Sequence, residues 1–237
     1  MGSTLSDSGE IDMLACKTTK SRLLVVDDHP LVRRGLVELM SDQPDVEICG
    51  EADNLSTAFE QYQALRPDLV ILDISLKDGT GLDLLKQFNH HGAAARVLVF
   101  SMHEDTLFAQ RAIAAGAGGY VNKNVESRTL LQAIHRVLEG RIYLNPELSE
   151  QILERALNPS KAAPLQTMHS LTSRELEVFE LVGQGLSTLQ ISDRLFLSHK
   201  TIETYREHIK RKLKIPNAAA LSRAAIIWMI ENRQNNV

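Results

Sequence analysis

Three aspartates, a serine and a lysine stand at the ends of apolar runs in the first half of this 237-residue chain. Asp27 and Asp28 follow RLLVV (22–26), Asp73 follows LVIL (69–72), Ser101 follows RVLVF (96–100), and Lys123 comes just past GYV (119–121). One carboxylate at a strand end is ordinary, because aspartate readily caps the helix that follows. Three carboxylates crowded together repel one another unless a cation intervenes, and hard oxygen ligands with room for water suit Mg²⁺. A carboxylate held in that way can attack phosphorus and form an aspartyl phosphate. Ser101 could bond a phosphoryl oxygen through its hydroxyl, and Lys123 could supply positive charge from across the edge.

The residues meet only if the elements carrying them are arranged correctly. Between residues 21 and 140, β-rich runs alternate with amphipathic stretches, the pattern of a parallel sheet with helices on both faces. Strands are expected at 22–26, 46–52, 69–72, 96–100 and 119–121, and helices at 30–40, 56–65, 82–88, 104–115 and 126–139. Pro30 suits a first helical turn, Ser56 an N-cap, and Pro67 cannot continue the helix ahead of it. Five such units predict a flavodoxin-like order, 2-1-3-4-5, in which chemistry collects at the carboxyl ends of strands 1, 3 and 4. Asp27, Asp28, Asp73 and Ser101 are then neighbours.

The remainder of the chain is built differently. Asn145-Pro146-Glu147 reads as a cap, a first-turn proline and an early acid, which predicts a short helix to about residue 157. NPSKAAPLQTMHS (158–170) has two prolines and no periodicity, and reads as a flexible linker. Beyond it Thr172 to Glu175 and Ser187 to Gln190 fit the capping box, Ser198 can cap a third helix, and Pro216-Asn217 precedes a fourth. The expected helices are 173–183, 188–194, 199–213 and 218–230. Ten Lys and Arg oppose seven Asp and Glu from Leu171 onward, whereas the preceding part is acidic, so the two halves suit different partners.

VVDDHP, DLVILDISLKDGTGL, VLVFSMHED and GAGGYVNKN occur in an order and spacing that resemble the receiver domain of two-component response regulators. That resemblance covers about 120 residues. It implies Asp73 as phosphoacceptor, Asp27 and Asp28 as the acidic pair serving Mg²⁺, and the Ser75 carbonyl as the remaining protein ligand. It further implies Ser101 and Tyr120 as hydroxyl and aromatic switch residues, with Tyr120 turning inward on phosphorylation, and Lys123 as the basic partner. Leu76-Lys77 replaces the usual Met-Pro, which makes the loop less constrained and puts a charge near Asp73; Gly81 is retained. His29 and His103 lie nearby and read as solvated loop residues.

The C-terminal LTSRELEVFELVGQGLSTLQISDRLFLSHKTIETYREHIKRKL resembles the LuxR-type helix-turn-helix of the NarL/FixJ subgroup, with the motif at about Thr188 to Glu207. Independently of that resemblance, a short helix, a turn and a longer polar helix form the unit whose second helix enters the major groove. Ile202, Tyr205, Ile209 and Leu213 share one stripe of that helix, and Lys200, Glu203, Thr204, Glu207 and Arg211 the other. Glu203, Thr204 and Glu207 are assigned to base readout, and Lys200, Arg206, Lys210 and Arg211 to phosphate contacts. AAALSRAAIIWMI closes the small core and leaves apolar surface, Ile227 or Trp228, to pair two copies.

The expected architecture is an N-terminal extension over 1–20, an α/β flavodoxin-like (βα)5 receiver over 21–141, a linker with a short helix over 142–170, and a four-helix helix-turn-helix domain over 171–237. Two cysteines, Cys16 and Cys49, are too few for a disulfide framework or a zinc site. No apolar run can span a bilayer and the polar start lacks secretion-signal order, so the expected location is the cytoplasm. The partners implied are a sensor histidine kinase, double-stranded DNA and a second copy of the chain. Two rival functions share these residues: a phosphorylation-independent DNA-binding dimer, and a phosphoaspartyl transfer enzyme. The enzyme is disfavoured because Ser75 stands where such enzymes carry a second acid.

Overall fold

The computed structural model describes residues 20–90, 96–102, 106–157, 168 and 170–234. Five strands, β1 (Ser21–Val26), β2 (Val46–Ala52), β3 (Leu69–Leu72), β6 (Arg96–Ser101) and β7 (Gly119–Asn122), form one parallel sheet in the order β2-β1-β3-β6-β7. A separate two-stranded hairpin, β4 (Ser75–Leu76) with β5 (Gly79–Thr80), follows β3 directly. Sequence periodicity misses this hairpin because each of its strands has only two residues.

Side chains alternate between the two faces of the sheet. Leu23, Val25, Leu69, Ile71 and Leu98 pack with α1 (Pro30–Ser41) and α5 (Ser127–Leu138), through Leu36, Met40, Leu130, Ile134 and Val137. Leu24, Val26, Val70, Leu72, Val97 and Val99 pack with α2 (Leu55–Leu65), α3 (Gly81–His90) and α4 (Thr106–Ala114). Both faces are covered, which is why the central strands read as unbroken apolar runs. Register sets the site: Val26 pairs with both Ala52 and Leu72, and Leu72 pairs with Val99. Asp27 and Asp73 therefore leave the sheet on one row, and Ser101 pairs with Asn122, one residue before Lys123.

Most element bounds agree with expectation to within a few residues, and the differences have local causes. Asn54, not Ser56, caps α2: its side chain accepts the Thr57 N–H at 2.9 Å, and the helix starts one residue earlier. The Ser56 hydroxyl instead faces Glu60. The first residues of the 104–115 stretch and His103 lie outside the described residues, as do the N-terminal extension and most of the proposed linker. Helix α6 (Pro146–Leu157) is capped by Asn145, which accepts the Leu148 N–H at 2.7 Å.

Among the described residues the C-terminal part carries helices α7 (Ser173–Gly183), α8 (Thr188–Leu195), α9 (His199–Lys212) and α10 (Ala218–Gln234). Thr172 with Glu175 and Ser187 with Gln190 both close reciprocal capping boxes, and Ser198 accepts the Thr201 N–H. Phe196 adopts a left-handed conformation (φ 53°) in the turn between α8 and α9. At Gly183 a Cβ would stand 2.7 Å from the Ala225 carbonyl oxygen, so the absent side chain lets α7 and α10 meet backbone to backbone. Trp228 is buried edge-on against Phe179 and cannot serve a pairing surface, because its ring fills the small core.

Candidate functional site

Strand ends deliver four polar side chains to one point on the edge of the sheet. Asp27, Asp28 and Asp73 are all buried, and one carboxylate oxygen of each, with a His29 ring nitrogen, lies within 4.8 Å of the others. The Lys123 Nζ is 2.6 Å from both Asp27 Oδ2 and Asp73 Oδ2. Backbone bonds fix these positions: Asp73 N–H donates to the Val26 carbonyl at 2.8 Å, and Lys123 N–H to the Ser101 carbonyl at 2.8 Å. Ser101 is fully buried beside this edge.

Burial pushes the Asp73 carboxyl up to about 6, against the opposing pull of the Lys123 ammonium and with the Asp27 charge adding to the rise. Burial likewise raises Asp28, although His29 acts in the other direction. For Lys123 burial would lower the value, but the Asp73 and Asp27 carboxylates outweigh it, so the ammonium is held charged above its ordinary range. Two of the three acids, Asp27 and Asp73, thus share a single lysine. Among the described residues no donor bonds the buried Asp28 Oδ1; His29 Nδ1 lies 2.8 Å away without hydrogen-bond alignment. A buried carboxylate oxygen without a donor, beside two further carboxylates, is a donor set that fits a hard divalent cation.

His29 corrects one expectation. The residue is a little over half exposed, yet its Nδ1 points into the acid cluster, 3.1 Å from Asp27 Oδ1 and 4.0 Å from Asp73 Oδ2. It is not simply solvated. Tyr120 corrects another: its ring is already inside, 1 % exposed, so no inward turn remains for it to make.

The loop after Asp73 is tightly built. The Ser75 N–H points to Asp73 Oδ1 at 3.3 Å, and the Gly81 N–H donates to the Ile74 carbonyl at 2.7 Å. A Cβ on Gly81 would stand 2.0 Å from the Asp73 carbonyl oxygen, which explains glycine there without reference to chemistry. Asp78 accepts the Leu55 N–H at 3.0 Å and so anchors the hairpin to the start of α2. Lys77 reaches over the Phe196 ring, 5.2 Å from its centroid, rather than to Asp73. The loop lacking Met-Pro is therefore held by other bonds, two of them made to α7: Ser75 Oγ donates to Glu177 and Arg174 donates to the Leu76 carbonyl at 3.0 Å, while Arg174 and Glu177 pair with each other at 2.6 Å within α7. Nothing in the local sequence signals Arg174 or Glu177, because their partners are about a hundred residues away.

At the other end, α8, the turn and α9 form a helix-turn-helix. Ile202 and Ile209 are buried, and Tyr205 and Leu213 pack partly against the same core. Lys200, Glu203, Thr204, Glu207 and Arg211 are exposed on the opposite stripe, so these five stand as expected. Glu203 accepts from the Thr188 hydroxyl at 2.8 Å, the Thr204 hydroxyl bonds the Lys200 carbonyl at 2.9 Å, and Lys210 pairs with Glu207 at 2.7 Å. Arg206 and Lys210 are only partly exposed. On α10, Ile226, Ile227 and Ile230 leave an apolar strip in solvent. No described helix is long and apolar enough to cross a membrane.

Comparison with known proteins matches both halves. Residues 23–135 match the family model of the response regulator receiver domain, and residues 169–225 that of bacterial regulatory proteins, luxR family. The nitrate/nitrite response regulator protein NarL of Escherichia coli K12 is 31% identical over 213 residues, which is 89% of this chain and 95% of that protein. The DNA-binding transcriptional activator DevR/DosR of Mycobacterium tuberculosis is 33% identical over 193 residues, 81% of this chain and 88% of that one. A crystal structure of a LuxR-family two-component response regulator from Aurantimonas is similar at a TM-score of 0.56 and 34% identity, covering 59% of this chain and 99% of its own.

Proposed function

This chain belongs to the NarL/FixJ-type response regulators, with a receiver domain and a LuxR-type DNA-binding output domain that serve transcription regulation, and from that premise we propose that Asp73 is its phosphoacceptor. The observation that carries the assignment is Lys123 bonded at 2.6 Å to both Asp27 and Asp73 among three buried carboxylates. An Asp73 carboxylate oxygen attacks the phosphorus of a phosphohistidine on a sensor kinase. An O–P bond forms, the P–N bond breaks, and the departing imidazole nitrogen keeps the electron pair and takes up a proton. Lys123 balances charge on the acceptor, and the Ser101 hydroxyl bonds a phosphoryl oxygen. Mg²⁺, held by Asp27, Asp28, Asp73 and the Ser75 carbonyl, would supply the positive charge that steadies the transferring group.

Within the same proposal the receiver unit spans residues 21–141, a connecting segment 142–170 and the output unit 171–237. The protein catalyses its own phosphorylation and dephosphorylation and turns over no other substrate. It acts in the cytoplasm on double-stranded DNA. Lys200, Arg206, Lys210 and Arg211 contact phosphates, and Glu203, Thr204 and Glu207 face base edges. The strip of Ile226, Ile227 and Ile230 pairs two copies on half-sites. Intact mass after incubation with Mg²⁺ and a small acyl phosphate tests the reading: one phosphoryl group is expected on wild type and none on Asp73→Asn. Equal labelling of both would overturn it.

A further inference from the structure

His29 is the one member of the acid cluster that is not an acid, and helix capping does not account for where its ring points. It stands at the N-cap of α1 without making a side-chain capping bond. Its carbonyl accepts the Val32 and Arg33 N–H groups at 3.1 and 3.2 Å, and its own N–H donates to Asp27 Oδ1 at 2.8 Å. With Pro30 next in the chain, these bonds fix the backbone of the residue. The ring turns back toward the strand ends.

The spacing around Nδ1 is that of ligand atoms about a shared ion. Nδ1 lies 2.8 Å from Asp28 Oδ1, 3.1 Å from Asp27 Oδ1 and 4.0 Å from Asp73 Oδ2. In an octahedron with bonds of about 2.1 Å, adjacent ligand atoms stand about 3.0 Å apart and opposite ones about 4.2 Å. Nδ1 is therefore spaced as a neighbour of the Asp27 and Asp28 oxygens and as the opposite of the Asp73 oxygen. Hydrogen bonding explains only one of the three contacts. Nδ1 can bond Asp27 Oδ1, whereas Asp28, only 5 % exposed, has an Oδ1 that accepts no hydrogen bond among the described residues. The Lys123 ammonium does not fill that gap, since its bonds go to Oδ2 of Asp27 and Oδ2 of Asp73.

We propose that His29 Nδ1 is a ligand in this site and makes it selective for a divalent transition ion over Mg²⁺. The inference rests on the reading in which Asp27, Asp28 and Asp73 hold a cation. Carboxylate oxygens alone suit Mg²⁺, which takes oxygen ligands and keeps several waters. Imidazole suits iron, nickel, copper and zinc, and affinity at mixed nitrogen and oxygen sites rises from Mn²⁺ through Co²⁺ to Cu²⁺. With its proton on Nε2, the His29 ring offers an Nδ1 lone pair to the same point as the three carboxylates. One nitrogen among oxygens strengthens the hold on these ions and adds little for Mg²⁺.

The test titrates the full chain with Co²⁺ and, separately, with Mg²⁺ by calorimetry, as wild type, His29→Gln and His29→Ala. The ring is more than half exposed and makes no cap, so neither change removes a core contact. The expected result is a ratio of Co²⁺ to Mg²⁺ affinity that falls by about tenfold or more in both variants. A merely structural role for His29 would weaken both ions together and leave the ratio alone. Ligation has its own signature: Co²⁺-loaded wild type should show a far-downfield exchangeable imidazole N–H proton resonance, lost on adding excess Mg²⁺ and lacking in both variants. A ratio unchanged in both variants, or the resonance persisting in them, overturns His29 as a ligand and leaves the three aspartates as the cation site. Failure of wild type to bind either ion overturns that site and this inference with it.

Discussion

Asp73 sits between two opposed influences, burial that favours its neutral form and Lys123 that favours its charged one, and burial prevails. With its folded value raised to about 6, the folded chain holds an extra proton at Asp73 between about pH 4 and pH 6. That contribution to stability is fully present below about pH 4 and is lost as the pH rises through 6. Without Mg²⁺, Asp73→Asn should therefore be more stable than wild type at pH 7, by on the order of 2 kcal/mol, with the difference vanishing near pH 4. Urea denaturation at the two pH values measures this; a less stable Asn variant at pH 7 would contradict it. Lys123 retains Asp27 in that variant, so it is not left unpaired. Gly81→Ala should abolish labelling of Asp73, because the added methyl would meet the Asp73 carbonyl oxygen at 2.0 Å and displace the acceptor. Asp27, Asp28, Asp73 and Lys123 were legible because each ends a recognisable strand in a known register. His29, Arg174 and Glu177 were not, since their roles come from how separate segments fold together.

At the scale of elements, capping and alternation carried most of the information. Both predicted capping boxes form, and the order of the five strands follows from their regular alternation with helices. Thr172→Ala and Ser187→Ala should each cost about 1 kcal/mol, read as a shifted denaturant midpoint. The N-cap of α2 escaped because Asn54 and Ser56 are both good caps, and only the bond from Thr57 decides between them. The hairpin escaped because its fixing bonds lie elsewhere, in Asp78 to Leu55 and Arg174 to Leu76. In α9 the same stripe carries both charge signs, so its residues should separate by their salt response. Arg211→Ala should weaken binding to every duplex alike and reduce the slope of log affinity against log salt by about 0.9. Glu203→Ala should instead relax preference at one base position, checked by binding to a set of single-base variants of a bound site.

Among the described residues Ser75 and Leu76 of the loop after Asp73 bond Glu177 and Arg174 of α7, and the two halves of the chain differ in charge. That two-part plan was legible in the change from alternating strands and helices to capped helices alone. The contact of α7 with the loop after Asp73 was not, because it joins residues about a hundred positions apart in the chain. On the proposal that Asp73 is the phosphoacceptor, its phosphorylation would be the input converted into a changed hold on DNA, and couplings of this kind are commonly about 1–3 kcal/mol. The most direct measurement is the affinity of the full chain for a bound duplex, at fixed salt, before and after phosphorylation, in wild type and in Asp73→Asn. The account predicts a change of about fivefold or more in wild type and none in the variant; equal affinities for phosphorylated and unphosphorylated wild type would contradict it.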